Sequence, residues 1–255
     1  MPAGSGLVNP APSAQTRSSD QRALGETRQG AIFSMVGFLL TVIGTYLYNV
    51  YGGLAFGISC SGGTCTSVPT AAIGLLAGLF VVVLIGVVFG ILAILRFRSA
   101  FQALVPIDYR FRSPASLSIL AVIGSIFVLL GLGLALAGVS SVLGSCGSNY
   151  NYTSCYNAVT NNAGLILGAL GALALGAILL LIGEIMVLIG IWRLGTRYNE
   201  SLLKIGAIFV IIPFLDIVAP FLIYFGANQA QRMVEQTAGM TGTAPPFSVP
   251  PPGAG

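Results

Sequence analysis

The stretch from 162 to 192, NAGLILGALGALALGAILLLIGEIMVLIGIW, contains a single charged-type side chain, Glu184. A helix needs about 20 predominantly apolar residues to cross the hydrocarbon core of a bilayer. This run passes that test with length left to tilt or to project into water. Four other runs pass it too, at 31–52, 70–95, 116–143 and 203–227. None reads as a cleaved signal peptide, because the first starts too far from the N-terminus and its apolar run is too long.

Composition points the same way. Of 255 residues, 55% are apolar and 7% charged, with a mean hydropathy of +0.92. A soluble domain carries about a quarter charged residues. A chain with 7% cannot cover a globule with charge, so lipid is its main solvent. A soluble enzyme, a coiled coil and a disordered chain are excluded. The expected fold is an all-α, polytopic transmembrane bundle of five spans, the last broken by prolines. Residues 1–18 are expected to be a disordered cytoplasmic tail, 19–230 the membrane domain, and 231–255 a flexible tail. That tail carries Pro245, Pro246, Pro250, Pro251 and Pro252, which favour an extended polyproline-like chain.

The connecting segments alternate in charge. Arg17, Arg22 and Arg28 precede the first run, Arg96, Arg98, Arg110 and Arg112 lie between the second and third, and Arg193, Arg197 and Lys204 between the fourth and fifth. The other two connections, 53–69 and 144–161, carry no charged residue. Lysine and arginine mark cytoplasmic loops. The N-terminus is therefore expected inside a cell membrane, the two neutral loops outside, and five crossings would put the C-terminus outside. In this pattern the net charge of +4 is a topology signal and not a nucleic-acid surface.

All four cysteines fall in the neutral loops, Cys60 and Cys65 in one, Cys146 and Cys155 in the other. Disulfides persist in oxidising compartments, and the pairing within each loop is the simplest of the three that four cysteines allow. The intervening four and eight residues are not the short spacing usual for zinc. Asn151-Tyr152-Thr153 is a glycosylation sequon in the same loop as Cys146 and Cys155, while the Asn199-Glu200-Ser201 match falls on the inner side. Neutral loops would also keep their charge in a strongly acidic exterior.

Histidine is absent, which removes the usual general base near neutral pH and the commonest metal ligand. No phosphate-binding glycine loop, nucleophile with a base, metal-ligand cluster or cofactor motif is present. Two acids lie deep in apolar runs. Counting from Arg193 and Lys204 at about 1.5 Å per residue, Glu184 sits roughly 13 Å and Asp216 about 18 Å into the core. An acid at the bilayer centre costs about 2.5–3.5 kcal/mol on insertion scales and is a functional candidate by default. Pro213 and Pro220 flank Asp216, and broken helices at mid-depth form ion sites in transporters. Glu184 and Asp216 could share a proton or bind a cation. Otherwise they are hydrogen-bonded structural acids, or Asp216 marks the turn of a re-entrant hairpin. An intramembrane enzyme built on these two acids is the least favoured reading, since the usual dyad is two aspartates.

Small residues are frequent in the runs. Gly164, Gly168, Ala172 and Gly176 recur every four residues, as do Gly74 with Gly78 and Gly86 with Gly90. Such ridges let helix backbones approach closely, within the chain or between copies. Tyr46, Tyr48, Tyr51 and Trp192 end their runs as interface anchors. Runs one and two, and three and four, form similar hairpins around neutral two-cysteine loops.

The segments Leu202 to Leu215 and Phe221 to Ala227, with the Arg28-Gln29-Gly30-Ala31 entry to the first run, resemble recurrent segments of archaeal domain-of-unknown-function family 973. The resemblance covers roughly 19 to 230. It implies a helical membrane fold, an archaeal setting and no evident enzyme motif, and it assigns no role to any residue. The expected function is that of a non-enzymatic integral membrane protein, structural or accessory, in contact with lipid and packing with itself or with membrane protein partners. The alternative is a small transporter or channel-like protein using Glu184 and Asp216.

Overall fold

The computed structural model describes residues 14–47, 60–61, 64–65, 70–146, 152–212 and 215–241. Eight helices account for almost all of them: α1 (Ala14–Leu47), α2 (Thr70–Leu104), α3 (Arg112–Leu117), α4 (Ile119–Cys146), α5 (Tyr152–Asn161), α6 (Ala163–Arg197), α7 (Ser201–Phe209) and α8 (Ala219–Thr241). A two-residue antiparallel ladder, β1 (Cys60–Ser61) with β2 (Thr64–Cys65), lies between α1 and α2, and a 3-10 turn (Tyr109–Phe111) precedes α3. Among the described residues, four helices are long and apolar enough to cross a membrane: Gln15–Leu47, Val81–Leu104, Tyr109–Val142 and Ala163–Arg197.

The architecture is two antiparallel helix hairpins, α1 with α2 and α4 with α6, joined at the arginine-bearing end. Each hairpin closes on small residues repeating every seven positions. In the first, α1 contributes Ala23, Gly30, Gly37 and Gly44, and α2 contributes Gly86, Ala93 and Ala100. In the second, α4 contributes Gly124, Gly131 and Gly138, and α6 contributes Ala169, Gly176 and Gly183, while Gly190, next in the same repeat, receives the Phe101 ring of α2. A strict seven-residue repeat keeps one stripe against a left-handed partner helix. The stripe itself holds no large side chain, so backbone meets backbone at Gly37 with Gly86 and at Gly124, Gly176 and Gly183, while Gly30 and Gly44 receive the Phe97 ring and a Val82 methyl. A Cβ at Gly37 would stand 3.1 Å from the Gly86 carbonyl oxygen, and one at Gly176 would stand 2.8 Å from the Val128 nitrogen. In lipid, where apolar burial drives little association, such packing is the main adhesive.

The four-residue ridge is not this seam. The Cβ positions of Gly164, Gly168, Gly78 and Gly90 are open, with nothing within 4 Å, while Gly176 and Gly86 belong to the seven-residue stripes. A spacing of four drifts around a helix paired with one neighbour, whereas a spacing of seven stays on it.

The large side chains of the core gather at the arginine-bearing end. Leu24, Phe97, Phe101, Leu104, Phe111, Ile191, Leu194, Leu203 and Ile223 are buried together there. At the other end of the hairpins, Leu39, Ile43, Val81, Leu130, Val139, Leu167 and Leu170 are exposed. The 35 residues of α6 extend about 52 Å, well beyond a hydrocarbon core of about 30 Å. The projecting turns, like those of α1, pack on this core.

The fifth apolar run is not one span. Residues 203–227 divide into α7 and the first part of α8, which fold back antiparallel on each other. A Cβ at Gly206 would meet the Ile223 nitrogen at 3.2 Å, and one at Gly226 the Leu203 nitrogen at 2.9 Å. The turn between them holds Asp216, and Pro220 stands in the first turn of α8, where its missing N–H costs nothing. Pro213 lies outside the described residues. Residues 203–227 therefore form a helical hairpin turning at Asp216 in place of the single fifth span expected. Ala230, Val234 and Thr237 of α8 line one cleft with Arg17 and Asp20 of α1, so the start of α1 and the later turns of α8 lie at the same end of the bundle. Helix also reaches further than expected, beginning at Ala14 within the tail expected to end at 18, and running to Thr241, past the boundary expected at 230. The early turns of α1 bury Asp20, Ala23, Leu24 and Thr27, and α8 buries Ala230, which is what holds both extensions.

Asn199 links α6 to α7. It has φ 53°, the Glu200 N–H bonds the Gly195 carbonyl at 2.8 Å, and the Asn199 N–H bonds that of Thr196 at 3.4 Å. This is a Schellman stop with asparagine in the left-handed position, and it explains the Asn-Glu-Ser match on that side. Glu200, buried, accepts from the Leu202 N–H at 3.4 Å and starts α7. Asn199→Gly is expected to be silent and Asn199→Val to cost about 1–3 kcal/mol, since a β-branched residue is strained there. Thermal unfolding in detergent reads both.

Candidate functional site

The two intramembrane acids are placed apart in kind. Glu184 lies on an exposed face of α6, among Ile178, Leu181 and Ile185, which are exposed as well. Asp216 is half-buried in the turn between α7 and α8, its backbone N–H bonded to the Ile212 carbonyl at 3.2 Å. No hydrogen bond or ion pair joins Glu184 to Asp216, and neither carboxyl has such a partner among the described residues. No group of three or more Cys, Asp or Glu residues placed to hold a metal occurs among the described residues.

The side chains of Cys60, Cys65, Cys146 and Cys155, and all of Asn151, Tyr48 and Tyr51, lie outside the described residues. The backbone ladder sets Cys60 directly opposite Cys65.

The polar constellation that the fold does assemble is at the arginine-bearing end. Asp20 Oδ1 accepts from the Arg197 guanidinium at 3.1 Å and from the Tyr198 hydroxyl at 2.8 Å. Asp20 is buried and Arg197 mostly so, with 13% and 22% of their side chains exposed. They form the floor of a cleft of about 420 Å³ walled by Arg17, Met233, Val234 and Thr237. Helix α1 sets Asp20 one turn before Ala23 and Leu24 on its buried face, and the last turn of α6 delivers Arg197 and Tyr198. The cluster therefore clamps the start of the first hairpin to the end of the second.

Burial, and next the Asp20 carboxylate beside it, holds the Tyr198 phenol above its ordinary value, so the hydroxyl stays protonated and donating. The sign follows from linkage. A group with a raised folded value contributes stability that is complete below its unfolded value and fades as pH climbs toward the folded one. The clamp is thus expected to persist through pH 10. The difference in 295 nm absorbance between the wild type and Tyr198→Phe checks this and should stay flat through that range.

Other contacts at this end are weaker or structural. Arg96 donates to Glu26 at 3.1 Å while 42% exposed, with its guanidinium 6.0 Å from the Phe33 ring. An exposed pair of this kind contributes about 0–1 kcal/mol. Arg98 donates to the Ala115 carbonyl at 3.1 Å and Arg193 to that of Arg110, tying the loop between the hairpins to α2 and α6. An apolar groove of about 220 Å³ runs between α6 and α7 past Leu188, Trp192, Ala207 and Ile211.

Sequence reasoning used Arg17, Arg193 and Arg197 as topology markers and missed the clamp. Asp20 and Arg197 stand 177 positions apart, and no local spacing pairs them. A usable signal was Asp20, Ala23, Leu24 and Thr27, a helical face that begins just past the expected tail.

Four long apolar helices packed on small-residue seams, with the side-chain polar contacts between helices gathered at one end among the described residues, define a multi-pass helical membrane protein. The chain belongs to the family described as protein of unknown function (DUF973), whose model matches residues 20–253. The match takes in the proline-rich tail, which the resemblance read from the sequence had left out. No curated protein and no solved structure matches the chain.

Proposed function

We propose that the chain is a non-enzymatic integral membrane protein, a structural or accessory component that assembles laterally with itself or with other membrane proteins. The observation that carries this reading is the distribution of surface. Within the hairpins the seam is filled by backbone and small residues, and the buried Thr27 and Ser125 hydroxyls spend their hydrogen bonds on the Ala23 and Ala121 carbonyls of their own helices. Outward, α6 presents open small positions at Gly164, Gly168 and Gly171 and an acid at mid-depth. The available chemistry therefore faces neighbours in the membrane.

The same reading puts the arginine-bearing end in the cytoplasm, by the positive-inside rule, and the neutral loops outside a cell membrane. There Cys60 and Cys65, opposed across the ladder, would be bridged, as would Cys146 with Cys155, and Asn151 would be open to glycosylation. The archaeal setting implied by the sequence resemblance belongs to this proposal.

A second reading, a proton or cation site at Glu184 and Asp216, is favoured by the unpartnered carboxyl of Asp216 at a helix break. Proton flux through reconstituted protein that is unchanged in Glu184→Gln and Asp216→Asn would exclude it.

The test of the first reading is the mass and composition of tagged protein isolated from its own membrane in mild detergent. A homo-oligomer or a stoichiometric second protein is expected. A lone monomer that conducts protons in an Asp216-dependent way would overturn it.

A further inference from the structure

Helix α6 carries two parallel stripes. One, Ala169, Gly176, Gly183 and Gly190, is buried against α4 and α2. The other lies one residue further along and steps alternately by four and three: Leu170, Ala174, Ala177, Leu181 and Glu184. Every residue of this second stripe is exposed. The alternation is that of a helix seam, with the small Ala174 and Ala177 at its middle and Leu170 and Leu181 on either side.

Glu184 is what separates this stripe from an ordinary lipid face. An acid at mid-depth turned to hydrocarbon has nothing to hydrogen-bond, and it has no partner among the described residues. A neutral carboxyl carries one donor and one acceptor and is complementary to itself. Copies inserted in the same orientation are related by a two-fold axis along the membrane normal, so each residue meets its counterpart at its own depth. The geometry points to a second copy of this chain as the occupant, packed along the Leu170–Glu184 stripe, with the two Glu184 carboxyls each donating to the other. The inference rests on the assembly reading above and names its partner and its surface.

The experiment co-expresses two differently tagged full-length copies and measures how much of one is recovered with the other from mild detergent. Wild-type copies are expected to be recovered together. Glu184→Leu, which suits lipid and leaves the α4 seam untouched, is expected to lower the recovery about tenfold, as for loss of an interhelical hydrogen-bonded pair. Glu184→Gln, whose amide can pair with its counterpart, is expected to retain it. Circular dichroism of both variants checks that the helices are intact. Full recovery in Glu184→Leu overturns the inference, and so does loss in Glu184→Gln as deep as in Glu184→Leu. Recovery of a different protein with no second copy overturns it while leaving the assembly reading standing, and a lone monomer overturns both.

Discussion

Gly183→Ala is expected to destabilise the protein by about 2 kcal/mol net, although it adds one methyl group to a helix and exchanges a poor helix former for the best. By propensity alone the change should stabilise by roughly 1 kcal/mol. The new Cβ, however, would sit on the backbone nitrogen of Ala121, with the Ala121 Cα 2.7 Å away. No side chain there can swing aside, so α4 and α6 must separate along the seam, and overpacking of that kind costs about 1–3 kcal/mol. Gly171→Ala is the control in the same helix. Nothing lies within 4 Å of its Cβ position, so only the propensity gain remains. Denaturant unfolding of both variants in detergent, followed by far-ultraviolet dichroism, should move them in opposite directions. Equal behaviour would show that the seven-residue stripe is not the seam.

Asp20→Ala is expected to cost about 2 kcal/mol and to loosen one end of the molecule only. It strips the Arg197 guanidinium of its ion pair and the Tyr198 hydroxyl of its acceptor at once. Breaking a fully buried pair by removing one partner costs about 3–5 kcal/mol, and the 22% exposure of Arg197 brings the figure down because water can re-solvate it. Glu26→Ala, which breaks the more exposed pair with Arg96, should cost no more than about 1 kcal/mol. Hydrogen exchange locates the effect. Protection should fall in residues 20–27 and 227–237, where α1 and α8 meet the clamp, and stay unchanged across the α4–α6 seam.

The long spans were legible because a bilayer imposes a length and an apolarity that any 18-residue window reports, and four of the five runs are the cores of crossing helices. The fifth was ambiguous for the same reason. Hydropathy does not tell a 25-residue crossing from a hairpin of two shorter helices, and only Asp216 with the neighbouring prolines signalled the turn. The glycine pattern was present but measured with the wrong interval. Gly30, Gly37 and Gly44, like Gly176, Gly183 and Gly190, are plain in the sequence at a spacing of seven. The helix extensions at the arginine-bearing end were hidden by composition, since Gln15, Ser18, Gln21 and Arg22 on the exposed face of α1 mask Ala23, Leu24 and Thr27 on the other. Of the candidate sites, Glu184 was found by its rarity alone, and the structure adds the direction it faces. The Asp20 clamp depends on residues 177 and 178 positions apart and is a property of the fold.

Four crossings with a re-entrant α7–α8 hairpin make a statement about the chain ends that five crossings do not share. Short epitopes placed at each terminus, probed with antibody in sealed membrane vesicles of one orientation before and after detergent, test it in one experiment. Both epitopes should become accessible together, because an even number of crossings leaves them on one side. An epitope at one end exposed in intact vesicles while the other stays shielded would mean that residues 203–227 cross the membrane, and the hairpin architecture would be wrong.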